Sequence, residues 1–171
     1  DHSSAHSSLL VDKHLLDWDR ELLALAGLTP EAVAPIHPST AVIGALTAAA
    51  ASDLGLRPRL PVVIGMLDSA AELIGVGATG TSVAVIRLGT AGGVMTLTER
   101  PAWRSGCMLY PHPVRPLWYY QAGTNAATSS LQWVLNLLGM TPDPAYAGVD
   151  ALVAQAPPGA DGLLFHPYLL G

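Results

Sequence analysis

Pro61-Val62-Val63-Ile64-Gly65-Met66-Leu67-Asp68, then Ser69-Ala70-Ala71-Glu72-Leu73-Ile74-Gly75, and then Ser82-Val83-Ala84-Val85-Ile86-Arg87-Leu88-Gly89-Thr90-Ala91-Gly92-Gly93 decide the reading of this chain. The first apolar run reads as a buried strand that stops at a lone carboxylate. A small-residue helix follows from Ser69. The second apolar run ends in a glycine-rich turn, and Val94 to Thr98 completes an antiparallel hairpin. One acid at a strand end can orient an attacking hydroxyl, and a turn rich in N–H groups can hold phosphate oxygens, so the order suits phosphoryl transfer. Each piece also has a plainer reading. Asp68 is a good N-cap for a helix beginning at Ser69. Gly89, Gly92 and Gly93 can simply supply the φ > 0 positions of a hairpin tip, with Thr90 bonded to its own turn.

Toward the N-terminus, Asp1 to Ser8 is small and polar and reads as a loop. Leu9-Leu10-Val11 reads as a short strand. Asp17 or Asp19 caps a helix over Arg20 to Ala26 that stops at Gly27, with Trp18 as a packing anchor. Thr29-Pro30-Glu31 starts another short helix. Ala41 to Leu46 reads as extended, and Thr47 caps an alanine-rich helix closed by Gly55. Toward the C-terminus, Arg100 to Arg115 reads as an irregular, proline-rich loop. Leu117 to Gln121 is a strand whose aromatics suit a pleated surface. Thr124 or Asn125 caps a helix with Leu131, Val134, Leu135 and Leu138 on one face, ended by Gly139. A second helix is expected from Pro144 to Ala156, and Leu163-Leu164-Phe165 as a last strand. Helices closing on one strand and helix, then hairpin, strand and helix, give an α/β chain divided in the glycine-rich Gly75–Thr81 segment.

Composition narrows the function classes. Of 171 residues half are hydrophobic, so the chain folds into one or two modest cores rather than staying disordered. A net charge of −5 argues against nucleic acid or an anionic membrane as partner. One cysteine, Cys107, excludes a disulfide framework and suits a reducing compartment as a buried thiol. Asp53, Asp68 and Glu72 interrupt the apolar runs well short of bilayer length, and no signal-peptide pattern is present. His2 and His6 are four apart, but the serines around them read as loop, so no metal set is assigned. His112 and His166 stand beside prolines and read as structural or exposed. Ser3, Ser4, Ser7 and Ser8 lack a nucleophile-elbow pattern. Trp118, Tyr119, Tyr120 and Trp133 read as core and sheet packing. Both ends of the chain look like cuts through structure, as in an interior piece of a longer protein.

Four segments together resemble the middle of the FGGY carbohydrate kinases, nearest the xylulokinase branch. Asp1 to Leu10 with Asp17-Trp18-Asp19 is similar to that family's sugar-domain loop and tryptophan helix. Val62 to Ala70 resembles its strand, glycine and catalytic-aspartate segment. Leu88 to Gly92 resembles its second phosphate motif, and Asp161 to Leu169 the approach to its Gly-Glu-Arg signature. The resemblance implies two actin-like, ribonuclease-H-type domains: residues 1–79 as the end of the first, sugar-binding domain and 80–171 as the start of the second, nucleotide-binding one. It implies a cytoplasmic, ATP- and Mg2+-dependent kinase that phosphorylates a ketopentose such as D-xylulose. Gluconate, ribulose and glycerol are the other substrates in view. Asp68 matches the general base, Asp68 and Ser69 the sugar side, and Gly89, Thr90 and Gly123 the nucleotide side. Mg2+ would arrive with ATP, and a homodimer is compatible with the resemblance. Ser69 stands where the family usually has Asn, and Ala91 replaces a serine common in the phosphate turn. Two other classes compete: a non-catalytic actin-like sensor of sugar or nucleotide, and a structural domain in which Asp68 only caps and the turn is empty.

Overall fold

The computed structural model describes residues 1–12, 14, 16–140 and 146–169. By Cα proximity the chain forms two compact units, one of residues 1–85 and 96–120, the other of residues 86–95 and 121–171.

The first unit begins with helix α1, His2–His6, in a segment read as loop. The Asp1 carboxylate makes the difference, accepting from the Ser3 and Ser4 N–H groups at 3.1 and 3.0 Å. Such a cap satisfies donors that a short helix leaves open. Strands β1 (Val11–Asp12) and β2 (Asp17–Trp18) pair antiparallel. Trp18 donates its ring N–H to the Ala34 carbonyl at 2.8 Å. Helix α2, Arg20–Leu25, is capped by Asp19 through Glu21 and Leu22 N–H, and Gly27 past its end has φ +72°. A single 3₁₀ turn, Pro30–Ala32, follows.

Strand β3 (Val42–Ala45) pairs antiparallel with β4 (Pro61–Val63), with a bulge between Val42 and Gly44. Between them lies α3, Ala48–Leu54, capped by Thr47 and closed by Gly55 in the left-handed conformation. The apolar run at Val62 is therefore a strand but not a buried one, since Val62 and Val63 are 37% and 52% exposed. An apolar run identifies a strand without showing what covers its faces, and here β4 lies in a two-stranded ribbon.

Helix α4, Asp68–Gly75, starts one residue earlier than expected, so Leu67 holds the cap position and Asp68 is the first helical residue. Its inner face is Ser69, Ala70 and Leu73. This helix packs into the core of the first unit, whose largest buried side chains include Tyr119, Leu23, Leu73 and His112.

Four later strands, β5 (Ala84–Leu88), β6 (Gly92–Thr98), β7 (Met108–Pro111) and β8 (Trp118–Thr124), are hydrogen-bonded in the order β5-β6-β8-β7. β7 lies inside the Arg100 to Arg115 segment that reads as loop, because prolines and turn residues enclose it. Trp118, Tyr119 and Tyr120 are buried as expected, whereas Trp133 is 46% exposed and pairs with Phe165.

In the second unit, α5 is Thr128–Leu137 and starts after Ala127, not at Thr124 or Asn125. Thr124 belongs to β8, where its hydroxyl accepts from Ala126 N–H at 3.2 Å. Of the expected apolar face only Leu135 is buried; Leu131 and Leu138 are 38% and 63% exposed. Gly139 follows the helix with φ +70°. Helix α6 is Ala147–Val153, and the expected start at Pro144 lies outside the described residues. Residues 163–165 form no strand, and Leu163 and Leu164 are each 80% exposed.

The packing of α4 gives a direct check. Leu73 is fully buried and its neighbour Ile74 is 38% exposed. In the full-length protein Leu73→Ala should cost about 2–5 kcal/mol in urea unfolding. Ile74→Ala should cost less than half of that, and equal costs would contradict this helix orientation.

Candidate active site

Asp68 is solvent-exposed at the head of α4, two residues beyond the Gly65-Met66 bend that ends the β4 segment. Gly65 has φ +80°, a conformation only glycine adopts without strain, and this lets the chain turn from strand to helix. The Asp68 carboxylate accepts from the Ser69 N–H at 2.7 Å.

The residues on either side of Asp68 are held by buried hydroxyls. The Leu67 N–H donates to Ser3 Oγ at 3.1 Å. Ser3 is 1% exposed and donates in turn to the Asp1 carboxylate at 2.8 and 2.9 Å. Asp1 also accepts from Ser39 Oγ at 2.7 Å, and the Ser39 carbonyl accepts from Gly65 N–H at 3.1 Å. On the other side, Ser69 Oγ and Tyr119 Oη lie 2.8 Å apart, and the two residues are 2% and 0% exposed. The Tyr119 hydroxyl is pushed up to about 12, chiefly by burial, with nearby Tyr110, Asp68 and Glu72 adding to the rise. It is a neutral phenol at any working pH.

The glycine turn belongs to the second unit. Its carbonyls are occupied by the start of α5. Gly89 O accepts from Thr128 N–H at 3.0 Å and from Thr128 Oγ1 at 2.7 Å, and Thr90 O accepts from Ala127 N–H at 2.8 Å and Ser129 Oγ at 3.1 Å. Thr90 itself is exposed. The Gly89 N–H is also used within the turn, donating to the Ala91 carbonyl at 3.0 Å, so the exposed group the turn leaves for a ligand is Thr90.

The glycines are needed for closeness rather than for φ. None of Gly89, Gly92 and Gly93 has positive φ, contrary to the hairpin-tip reading. A Cβ on Gly92 would stand 2.6 Å from Ala127 Cβ, and one on Gly93 2.8 Å from the Ala122 carbonyl. Gly123 closes against the same place, where its Cβ would lie 3.1 Å from Gly92 O. Gly123 and the turn, far apart in sequence, are thus brought together. Asp68 and Ser69 sit in the first unit, Gly89, Thr90 and Gly123 in the second.

Other polar groups have different surroundings. His2 and His6 both lie on α1, yet among the described residues no three His, Cys, Asp or Glu side chains are grouped to hold a metal ion. His6 packs edge-on against Trp118 and Tyr110. His112 Nδ1 accepts from Val114 N–H at 3.0 Å. Cys107 is free and half-buried. It lines a cavity of about 500 Å3 in the first unit with His6, Trp103, Arg104 and Tyr110, which does not include Asp68. Among the described residues no helix is long and apolar enough to cross a membrane.

Sequence reasoning missed Ser3 and Tyr119 as the partners around Asp68. The Asp1-His2-Ser3 order carried a capping signal for the first. A tyrosine inside a buried strand, whose hydroxyl needs a partner, was the signal for the second.

Two expectations follow. Gly93→Ala should destabilise the full-length protein by about 1–3 kcal/mol through overpacking. Gly80→Ala, where the added Cβ meets nothing within 4 Å, is the control; equal melting points would contradict the close approach. Burial lowers the pKa of His6 and His112 below 6.5. Their neutral forms then favour the fold at higher pH, and stability falls as pH drops through the unfolded value because the unfolded chain takes up the protons first. Melting temperature should fall between about pH 7.5 and pH 5.5, and His112→Asn should flatten that slope.

Comparison with known proteins follows the same outline. Residues 1–75 match the N-terminal domain of the FGGY family of carbohydrate kinases. The whole chain is 28% identical over 183 residues to a gluconokinase of Bacillus subtilis, of which it covers 35%. It is 29% identical over 176 residues to a xylulose kinase of Staphylococcus epidermidis, all of the chain again matching 34% of that protein. The crystal structure of xylulose kinase from Rhodospirillum rubrum superposes on the entire chain with a TM-score of 0.87 and 34% identity, across 35% of its own length. The chain thus spans about a third of the relatives it matches. Its fold is part of the actin-like fold of these kinases, and the match to the FGGY carbohydrate kinase family lies in residues 1–75.

Proposed function

We propose that this chain is part of a cytoplasmic, ATP-dependent sugar kinase, divided near residues 79 and 80 into a sugar-side and a nucleotide-side portion. The observation that carries the reading is the exposed Asp68 carboxylate at the head of α4, inside the segment that matches the kinase family. Asp68 orients the acceptor hydroxyl and takes its proton as the phosphoryl group arrives. Phosphoryl transfer is loose and depends mainly on positioning, so the carboxylate acts chiefly by holding the hydroxyl in place.

The Gly89–Thr90 turn holds phosphate oxygens at the exposed Thr90, with Gly123 packed against the turn. The backbone closeness that a Cβ would abolish fits a nucleotide phosphate chain. Mg-ATP supplies the phosphoryl group. Mg2+ would come with the nucleotide.

The acceptor is a ketopentose such as D-xylulose, supported by the 34% identity to a xylulose kinase of known structure. D-gluconate is the second reading, supported by the match to a gluconokinase along the whole chain. Coupled assays on the full-length protein with Mg-ATP and each sugar decide between them. Asp68→Asn should lower kcat by at least about 10²-fold, the scale of general-base loss, with the melting temperature little changed. Wild-type turnover in that variant would refute the assignment of Asp68. A wild-type protein stabilised by sugar or nucleotide without turnover would be a sensor, not a kinase.

A further inference from the structure

We infer that Ser3 and the Ser69–Tyr119 pair are positioning residues: two buried hydroxyl contacts that bracket Asp68 and fix the direction of its carboxylate. This rests on Asp68 being the base. The bracket is made of parts distant in sequence. Ser3 Oγ accepts from the N–H of Leu67, immediately before Asp68, and Tyr119 Oη is hydrogen-bonded to Ser69, immediately after it.

Each contact is tightly defined. Ser3 Oγ has one proton, which it gives to the Asp1 carboxylate, so its lone pairs face Leu67. Asp1 is itself fixed by Ser39, whose carbonyl holds Gly65 at the other end of the bend. The chain from Gly65 to Leu67 is therefore tied at two points to one carboxylate. Ser69 and Tyr119 share a hydrogen bond in a site closed to water, where either hydroxyl left alone would be unsatisfied. Asp68 stands exposed between two anchored neighbours.

The consequence for Ser69 is specific. Its hydroxyl reaches Tyr119 inside the core, so Ser69 serves the acceptor side through the backbone direction it imposes on Asp68, not by touching the sugar. A displacement of a base by an ångström lowers turnover strongly while leaving substrate binding nearly intact.

The test uses the full-length protein, Mg-ATP, and D-xylulose and D-gluconate as acceptors. Tyr119→Phe and Ser3→Ala should each lower kcat by about 10- to 100-fold with both KM values within about twofold. The decisive variant is the pair Ser69→Ala with Tyr119→Phe. Removing both hydroxyls leaves no unsatisfied group, so the melting temperature lost in Tyr119→Phe should return while kcat does not. Recovery of kcat together with the melting temperature, or wild-type kcat in the single variants, would overturn the bracket. Failure of the underlying reading looks different: Asp68→Asn would then retain turnover, sinking base and bracket together. An inactive Asp68→Asn beside fully active Tyr119→Phe and Ser3→Ala would sink the bracket alone.

Discussion

The carboxylate of Asp1 ties together three stretches of the first unit. It caps α1 through the Ser3 and Ser4 N–H groups, accepts from the Ser3 and Ser39 hydroxyls, and through them reaches Leu67 and Gly65. Without that acceptor, α1 has no side-chain cap, and the buried Ser3 and Ser39 hydroxyls lose their partner. A buried hydroxyl left unpaired costs about 1–3 kcal/mol, so the network is stable only when complete. The bend before α4 depends on it, and the placement of Asp68 depends on the bend.

The second unit uses a different constraint, the absence of side chains. Gly92, Gly93 and Gly123 let two backbone segments meet at distances that a Cβ would prevent. The same closeness lets the first turn of α5 occupy the carbonyls of Gly89 and Thr90.

Legibility from sequence followed the range of the interactions. Caps and stops at Asp19, Thr47, Gly55 and Gly139 were legible because they act within one turn of chain. The strand-acid-helix order around Asp68 and the glycine turn were legible for the same reason. What escaped depends on distant partners. The polar Asp1–Ser8 segment is helical because of its cap, β7 exists because β8 pairs with it, and β4 is exposed although apolar. The reason for Gly92 and Gly93 lay in Ala127 and Ala122, some thirty residues on, as given by the distances of 2.6 and 2.8 Å. The acid and the turn were thus visible as candidates, while the hydroxyls that hold Asp68 became visible only in three dimensions.

The most direct test is a crystal structure of the full-length protein with D-xylulose or D-gluconate and a non-hydrolysable ATP analogue. The account predicts the acceptor hydroxyl within about 2.6–3.2 Å of an Asp68 carboxylate oxygen and phosphate oxygens against the Gly89–Thr90 turn. A sugar bound with its hydroxyls away from Asp68, or phosphates held elsewhere, would contradict it.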